Sequence, residues 1–265
     1  MTDHPNDDDL LISPVDRPLG YVPNRVVSLV PSLTESLYDL DLGDRLIAVT
    51  DYCVRPANAV ECSARVGGTK NPDIERIIEL QPDLILLNDE ENRRVDAEIL
   101  HHAGIPIWVT RPRSISDALN LLWDIMAVFD HGVMSARVRE IERAYDYQQA
   151  SVQTITPVRV FVPVWRDPWI TFTNQTYMHD VVRVCGGFNV FSDYETESPS
   201  ENESMKSETY GTQGSQHYPR ITAEDIINAH PELVLLPDEP YQFEQVDGDF
   251  FHQLDIPAAR TGRII

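Results

Sequence analysis

Short apolar runs bounded by prolines alternate with segments of helical period along most of the chain, and that alternation leaves few folds open. Arg25-Val-Val-Ser-Leu-Val30 is the first such run, with the continuous hydrophobicity of a strand buried on both faces. Pro31-Ser32 then opens a helix. Ser32-Leu-Thr-Glu35 has capping-box spacing, Leu33, Leu37 and Leu40 share one face, and Gly43 is the expected stop. The pattern repeats as a strand over 46–50, a helix over 74–80 ended before Pro82, a strand over 84–87, a helix over 93–103 and a strand over 107–109. After Pro157 it restarts with a strand over 158–164, a helix over 177–185, a strand over 233–236 and a last strand beginning at Gly262. Strands alternating with helices predict parallel sheets covered on both sides.

An internal echo divides this pattern in two. Asp73-Ile-Glu-Arg-Ile-Ile-Glu-Leu-Gln-Pro-Asp-Leu-Ile-Leu-Leu87 resembles Ala223-Glu-Asp-Ile-Ile-Asn-Ala-His-Pro-Glu-Leu-Val-Leu-Leu236, and both read as helix, proline, strand. The spacing predicts an α/β protein of two Rossmann-like lobes, over 24–115 and 155–265. Between them, 116–154 carries no proline and keeps Leu119, Leu122, Trp123, Met126, Phe129, Val133, Val138, Ile141 and Tyr145 at helical spacing; a single linking helix is the simplest account, with Asp130-His-Gly132 as its weak point. A ligand cleft is expected between the lobes, at the carboxyl ends of the strands. The acidic, proline-marked stretch 1–23 reads as a flexible arm, and the polar stretch 194–217 as an insertion.

Charge narrows the partners. The chain carries 43 acidic against 21 basic residues, a net charge of -22, so nucleic acid and anionic lipid are poor partners and an acidic surface suited to solubility or salt is expected. Cys53, Cys62 and Cys185 have no CxxC spacing and cannot all pair, so neither a zinc knuckle nor a disulfide framework is indicated, and a Cys53 to Cys62 bridge across a loop stays open. The N-terminus lacks a basic start and an apolar core of signal length, which predicts a cytoplasmic protein, and no apolar run has the ~20 residues of a membrane helix.

Familiar catalytic signatures are missing: there is no GxSxG, Walker loop, HExxH or GxGxxG after a strand. Gly67-Gly68-Thr69 has no Lys-Ser or Lys-Thr pair behind it and reads as a turn before a capped helix. His101-His102, adjacent on one helix, point to different faces and suit a helix end better than a metal. Asp238-Glu239 follows a strand end directly, where a metal-binding or base carboxylate pair would sit and where a solvated acidic turn is the competing reading. Aromatic residues recur at strand ends: Tyr52, Trp165, Trp169, Tyr218, Tyr241 and Phe243. Broad aromatic faces suit a flat or macrocyclic ligand.

Arg25-Val-Val-Ser-Leu-Val-Pro-Ser-Leu-Thr-Glu35, Val66-Gly-Gly-Thr-Lys-Asn-Pro-Asp-Ile-Glu-Arg76, Gln81-Pro-Asp-Leu-Ile-Leu86 and Val184-Cys-Gly-Gly-Phe-Asn-Val-Phe191 together resemble the helical-backbone metal-chelate and cobalamin substrate-binding proteins of ABC importers. The resemblance runs from about Arg25 to Ile265. It implies two lobes bridged by a rigid helix, no catalysis, no intrinsic cofactor, and a corrinoid, haem or ferric siderophore as ligand. By position it implies ligand contacts at Pro31, Ser32, Tyr52, Thr69, Asn88, Trp165, Trp169 (or its neighbour Ile170), Tyr218 and Tyr241, and docking of Glu91 and Glu224 on an ABC permease. Where corrinoid-binding members carry a tryptophan this chain has Gly68-Thr69, and an aromatic position is Asn88. Members are exported and continue beyond the point equivalent to Ile265. The expected protein is a monomeric binder; an enzyme using Asp238, Glu239 and the 165–169 loop, a cytoplasmic chelate carrier and a scaffold with an empty cleft are its rivals.

Overall fold

The computed structural model describes Pro14, Asp16 and residues 18–61, 63–194 and 217–265; most of the expected arm over 1–23 and the insertion over 194–217 lie outside the described residues. The chain divides into two compact units. The first comprises the described residues up to Pro112 with Asp117–Ile141, the second Arg113–Ser116 and the described residues from Glu142 onward.

In the first unit β1 (Val26–Ser28), β2 (Leu46–Val49), β3 (Ala64–Arg65), β4 (Leu84–Asn88) and β5 (Ile107–Thr110) form one parallel sheet in the order β3-β2-β1-β4-β5. Val27 lies opposite Ala48 on one side and Ile85 on the other. Alternate residues feed two cores. Val26, Leu84 and Leu86 join Leu33 and Leu37 of α1 (Pro31–Asp39). Val27, Ile85 and Leu87 join Ile77 of α3 (Ile74–Leu80) and Ala97 and Leu100 of α4 (Arg94–His102). A short α2 (Ala57–Val60) precedes β3. Burial on both faces explains why β4 has no polar alternation: each fully buried aliphatic side chain contributes roughly 1.5–3 kcal/mol.

Three local expectations are corrected. The capping box at Ser32 does not form, because Pro31 occupies the first turn, the cap is Val30, and no side chain bonds it; proline's fixed φ and missing N–H start the helix before Ser32 reaches the cap. The helix stops at Asp39 rather than Gly43, which instead begins a 3-10 turn under the Tyr38 ring, where a Cβ would collide. The single helix expected over 116–154 is two, α5 (Ile115–Val128) and α6 (Ser135–Val152). Asp130 turns left-handed at φ 45, and the N–H groups of Asp130 and His131 bond back to Ala127 and Met126, a C-terminal cap that Gly132 then leads away from. The division between the two units falls within the first turn of α5 and again within α6.

The second unit is built on β6 (Val158–Phe161), β8 (Gly187–Asn189) and β10 (Leu233–Val234), parallel in the order β10-β6-β8, with an antiparallel ribbon of β7 (Trp169–Ile170) and β9 (Arg220–Ile221). Helices α7 (Tyr177–Val184), α8 (Ala223–Ala229), α9 (Gln245–His252) and α10 (Pro257–Thr261) complete it. The strand expected from Gly262 is one bridge, Ile264 to Val234, because Gly262 at φ 68 caps α10. Phe161, Phe191, Ile226, Phe251 and Ile256 form one buried cluster of this unit, and Phe172 with Val160 and Val162 another.

The echo in the sequence is a repeat in structure, each copy within its own unit. α3 and α8 both end on a left-handed residue, Gln81 and His230, followed by a proline and a strand. Arg25 donates to the Leu80 and Gln81 carbonyls at 2.6 and 3.3 Å, and Arg159 donates to Ala229 and His230 at the same distances. Asp83 and Glu232 return the contact by accepting from the Arg25 and Arg159 backbone N–H groups. Each arginine thus satisfies the helix-end carbonyls that the helix itself leaves bare.

Candidate functional site

In the first unit the strand order reverses at β1, where chain connections depart to opposite sides, and loops at the carboxyl ends of β1, β2, β3 and β4 gather there. Pro31 and Ser32 follow β1, with Ser32 exposed. Tyr52, 64% exposed, follows β2. Its turn is fixed from below: Arg65 donates to the carbonyls of Thr50 and Cys53 at 2.7 and 2.9 Å. The buried Cys53 thiol lies 3.2 Å from both the Thr34 and Thr50 hydroxyls; Cys62, with which a bridge was considered, lies outside the described residues.

Gly67, at φ 80, reverses the chain after β3. Gly68 allows Asn71 and the Tyr52 ring to close over it, since a Cβ would lie 3.2 Å from that ring and collide with the Asn71 amide. Thr69 is buried. Asn88 does not present its amide freely: Oδ1 accepts from the N–H groups of Glu90 and Glu91 at 2.8 and 3.2 Å, so it shapes the turn that carries Glu91. Lys70 donates to the Glu90 carbonyl at 2.6 Å. Burial lowers its pKa, and the charges of Glu91, Glu90 and Asp89 offset this only in part.

The residue that sequence reasoning missed is Asn92. It is 4% exposed and bonds to three of these loops. Its only sequence signal, an asparagine just before a helix and after three acids, reads as a solvated turn.

In the second unit the carboxyl ends of β6 and β10 carry an aromatic cluster in two layers. A tight reversal, with Val164 N–H donating to Ile170 and Ile170 N–H donating to Trp165, brings Trp165 and Trp169 to one end of the sheet. Trp169 forms the inner layer, its ring 6.2 Å from and nearly parallel to Phe243, 5.2 Å from Phe250 and 4.9 Å from Phe251. Trp165, 39% exposed, forms the outer layer with Tyr241, edge to face at 5.4 Å. Arg166 lies over the Trp169 ring and pairs with Asp247, a carboxylate only 1% exposed, and so ties the hairpin to the start of α9. Tyr218 is half-buried against the β6 side of the core.

Glu91 and Glu224 are both exposed, Glu224 in the first turn of α8. Asp238 and Glu239 are exposed in the turn after β10. His101 and His102 occupy the last turn of α4. Among the described residues no group of three or more His, Cys, Asp or Glu is placed to hold a metal ion, and no helix is long and apolar enough to cross a membrane.

Residues 26–265 match the periplasmic binding protein family. The sequence is similar to the vitamin B12-binding proteins of Vibrio parahaemolyticus, 29% identical over 79% of this chain and 69% of the relative, and of Yersinia pestis, 28% identical over 94% and 81%. The fold is similar to that of the periplasmic vitamin B12 binding protein of Vibrio cholerae, with a TM-score of 0.71 at 21% identity over 91% of this chain and 86% of that one. It is also similar to a periplasmic haem-binding protein from Roseiflexus sp. RS-1, with a TM-score of 0.69 at 20% identity over 91% and 88%.

Proposed function

The chain belongs to the periplasmic binding protein family, and from that premise we propose that it binds a metal chelate of the corrinoid, haem or ferric siderophore class and delivers it to an ABC-type importer without making or breaking a bond. The observation that carries this reading is the outer aromatic layer of Trp165 and Tyr241, solvent-accessible at a strand end and backed by a packed inner layer. Such a surface offers a flat ligand large apolar contact at low entropic cost, because the rings are already held in place. Tyr52 in the first unit is an exposed ring at the corresponding edge of its own sheet. Glu91 and Glu224, exposed on separate units, are the carboxylates proposed to dock on permease arginines.

The enzyme alternative loses support from the placement of Asp238 and Glu239. Both are open to solvent in a turn, the usual setting of a solvated surface acid.

The test is a thermal-shift and absorbance screen against cyanocobalamin, dicyanocobinamide, haemin and a set of ferric siderophores. A ligand present at 100 times its Kd stabilises the native state by about 2.7 kcal/mol, which raises Tm by roughly 5–10 °C for a chain of about this length unfolding as one. One chelate giving that rise, with Trp165→Ala abolishing it, supports the reading. A folded protein with no response to any of them defeats it.

A further inference from the structure

We infer that Asn92 is the positioning residue of the first unit's ligand edge, holding the loops that carry Pro31, Thr69 and Asn88 in register through a single buried amide. The inference rests on the chelate-binding reading for what those loops are for, and on geometry for how they are held.

Three of the amide's bonding positions are used, each on a different loop. Nδ2 donates to the Leu29 carbonyl, two residues before Pro31, at 3.0 Å, and to the Thr69 carbonyl at 3.0 Å. Oδ1 accepts from the Asn88 N–H at 2.9 Å. The loops after β1, β3 and β4 are thereby joined at one planar group. Lys70 adds a second tie between the last two, through the Glu90 carbonyl.

Asparagine is the side chain this junction requires. Two donors and an acceptor are needed from one short planar group. Leucine supplies none of them. Aspartate keeps the acceptor but turns a second oxygen, with its charge, toward two carbonyls. Because Asn92 is almost fully buried, it acts on a ligand only through the loops it holds.

The inference makes Asn92→Asp a pH-dependent lesion. At pH 8 the carboxylate repels the Leu29 and Thr69 carbonyls. As the pH falls, protonation restores one donor. Affinity for whichever of cyanocobalamin, dicyanocobinamide or haemin binds the wild type is expected to fall at least tenfold in Asn92→Asp at pH 8. That gap should narrow towards pH 5, whereas Asn92→Leu should show the same loss at both pH values. Unchanged affinity, or a loss in Asn92→Asp that is equal at pH 8 and pH 5, overturns the inference.

A measurement on unliganded wild-type protein needs neither a foldable variant nor a ligand. The Asn92 side-chain amide protons should exchange with solvent at least a hundredfold more slowly than those of exposed Asn71. Equal rates would show that the junction does not persist and would overturn the inference. If none of the chelates binds while Asn92 exchanges slowly, the fault lies in the proposed ligand class and not in the junction.

Discussion

Asp247 is the residue whose position most needs explaining, since a carboxylate 1% exposed is costly unless its charge is met. Two partners meet it: the Glu244 N–H at 2.8 Å, which makes Asp247 part of the capping box of α9, and the Arg166 guanidinium. Arg166 is itself partly exposed, so the pair is screened on one side and is worth less than a fully buried one. Arg166→Met should cost about 1–3 kcal/mol, mainly by stranding the carboxylate, and should loosen the hairpin that carries Trp165. Arg166→Lys should recover only part of this, because an ammonium cannot both reach Asp247 and lie flat on Trp169. Urea denaturation checks both variants; wild-type stability in Arg166→Met would show that Asp247 does not depend on this partner. At this scale the sequence was a partial guide. Trp165 and Tyr241, which the sequence places just past apolar runs, do lie together at a strand end with Trp165 partly exposed. The packing of the Trp169 ring against Phe243, Phe250 and Phe251 has no period in the sequence that would announce it. Asn92 was invisible, because its partners are carbonyls on loops distant in sequence, which carry no side-chain signature.

Elements were easier to read than residues, and the reason is length. β4 is long enough to stand out as an unbroken apolar run and α3 long enough to be bounded by a cap and a proline, and the recurrence of helix, proline and apolar run at α8 doubled that signal. β7, β9 and β3 are two residues each, too short for any period, and are strands only because partners pair with them. α9 was missed because Gly248 and the buried acid Asp247 interrupt its apolar face. The break between α5 and α6 was visible only as Asp130-His-Gly132, since the left-handed turn depends on backbone bonds. The start of α8 yields a prediction at this level. Thr222 and Asp225 cap it reciprocally, the Asp225 N–H donating to the Thr222 hydroxyl and the Asp225 carboxylate accepting from the Thr222 N–H and hydroxyl at 2.7 Å. Burial would raise the Asp225 pKa, but the bonds from Thr222 and from Tyr194 outweigh it and hold the pKa below the usual carboxylate value. The folded state therefore favours the charged form, and the stability this adds is complete above the unfolded carboxylate pKa near 4 and lost as pH falls through the lower folded value. Asp225→Asn should cost about 1 kcal/mol at pH 7 and progressively less between pH 4 and pH 2. Thermal melts of the two proteins across that range decide it; a constant difference would assign the effect to something other than ionisation.

For the whole molecule, the governing quantity is charge. A surplus of 22 negative charges on one chain repels itself wherever the carboxylates are exposed, and compaction brings those charges closer than they are in the unfolded chain. The basic residues do little to relieve this, because many act locally. Of the 21, only Lys70 and Lys206 are lysines, and arginines pair with near neighbours, Arg93 with Asp96, Arg94 with Glu98, Arg183 with Asp180 and Arg260 with Asp255. These short-range pairs leave the long-range surplus in place. Salt acts on the two contributions differently. Between 0.01 and 1 M the Debye length contracts from about 30 to about 3 Å, which removes repulsion between distant carboxylates first and weakens contact pairs, worth about 0.2–1 kcal/mol each when exposed, only modestly. Net stability should therefore rise with ionic strength. Tm is expected to climb by several degrees from 0.01 to 1 M KCl, most steeply over the first tenfold increase, where the Debye length falls from about 30 to about 10 Å. Choline chloride should act as KCl does, since the effect is screening and not binding of a particular cation. A Tm that falls with salt would mean that local ion pairs outweigh the surplus charge, and a rise with KCl but not with choline chloride would point to specific potassium sites among the carboxylates.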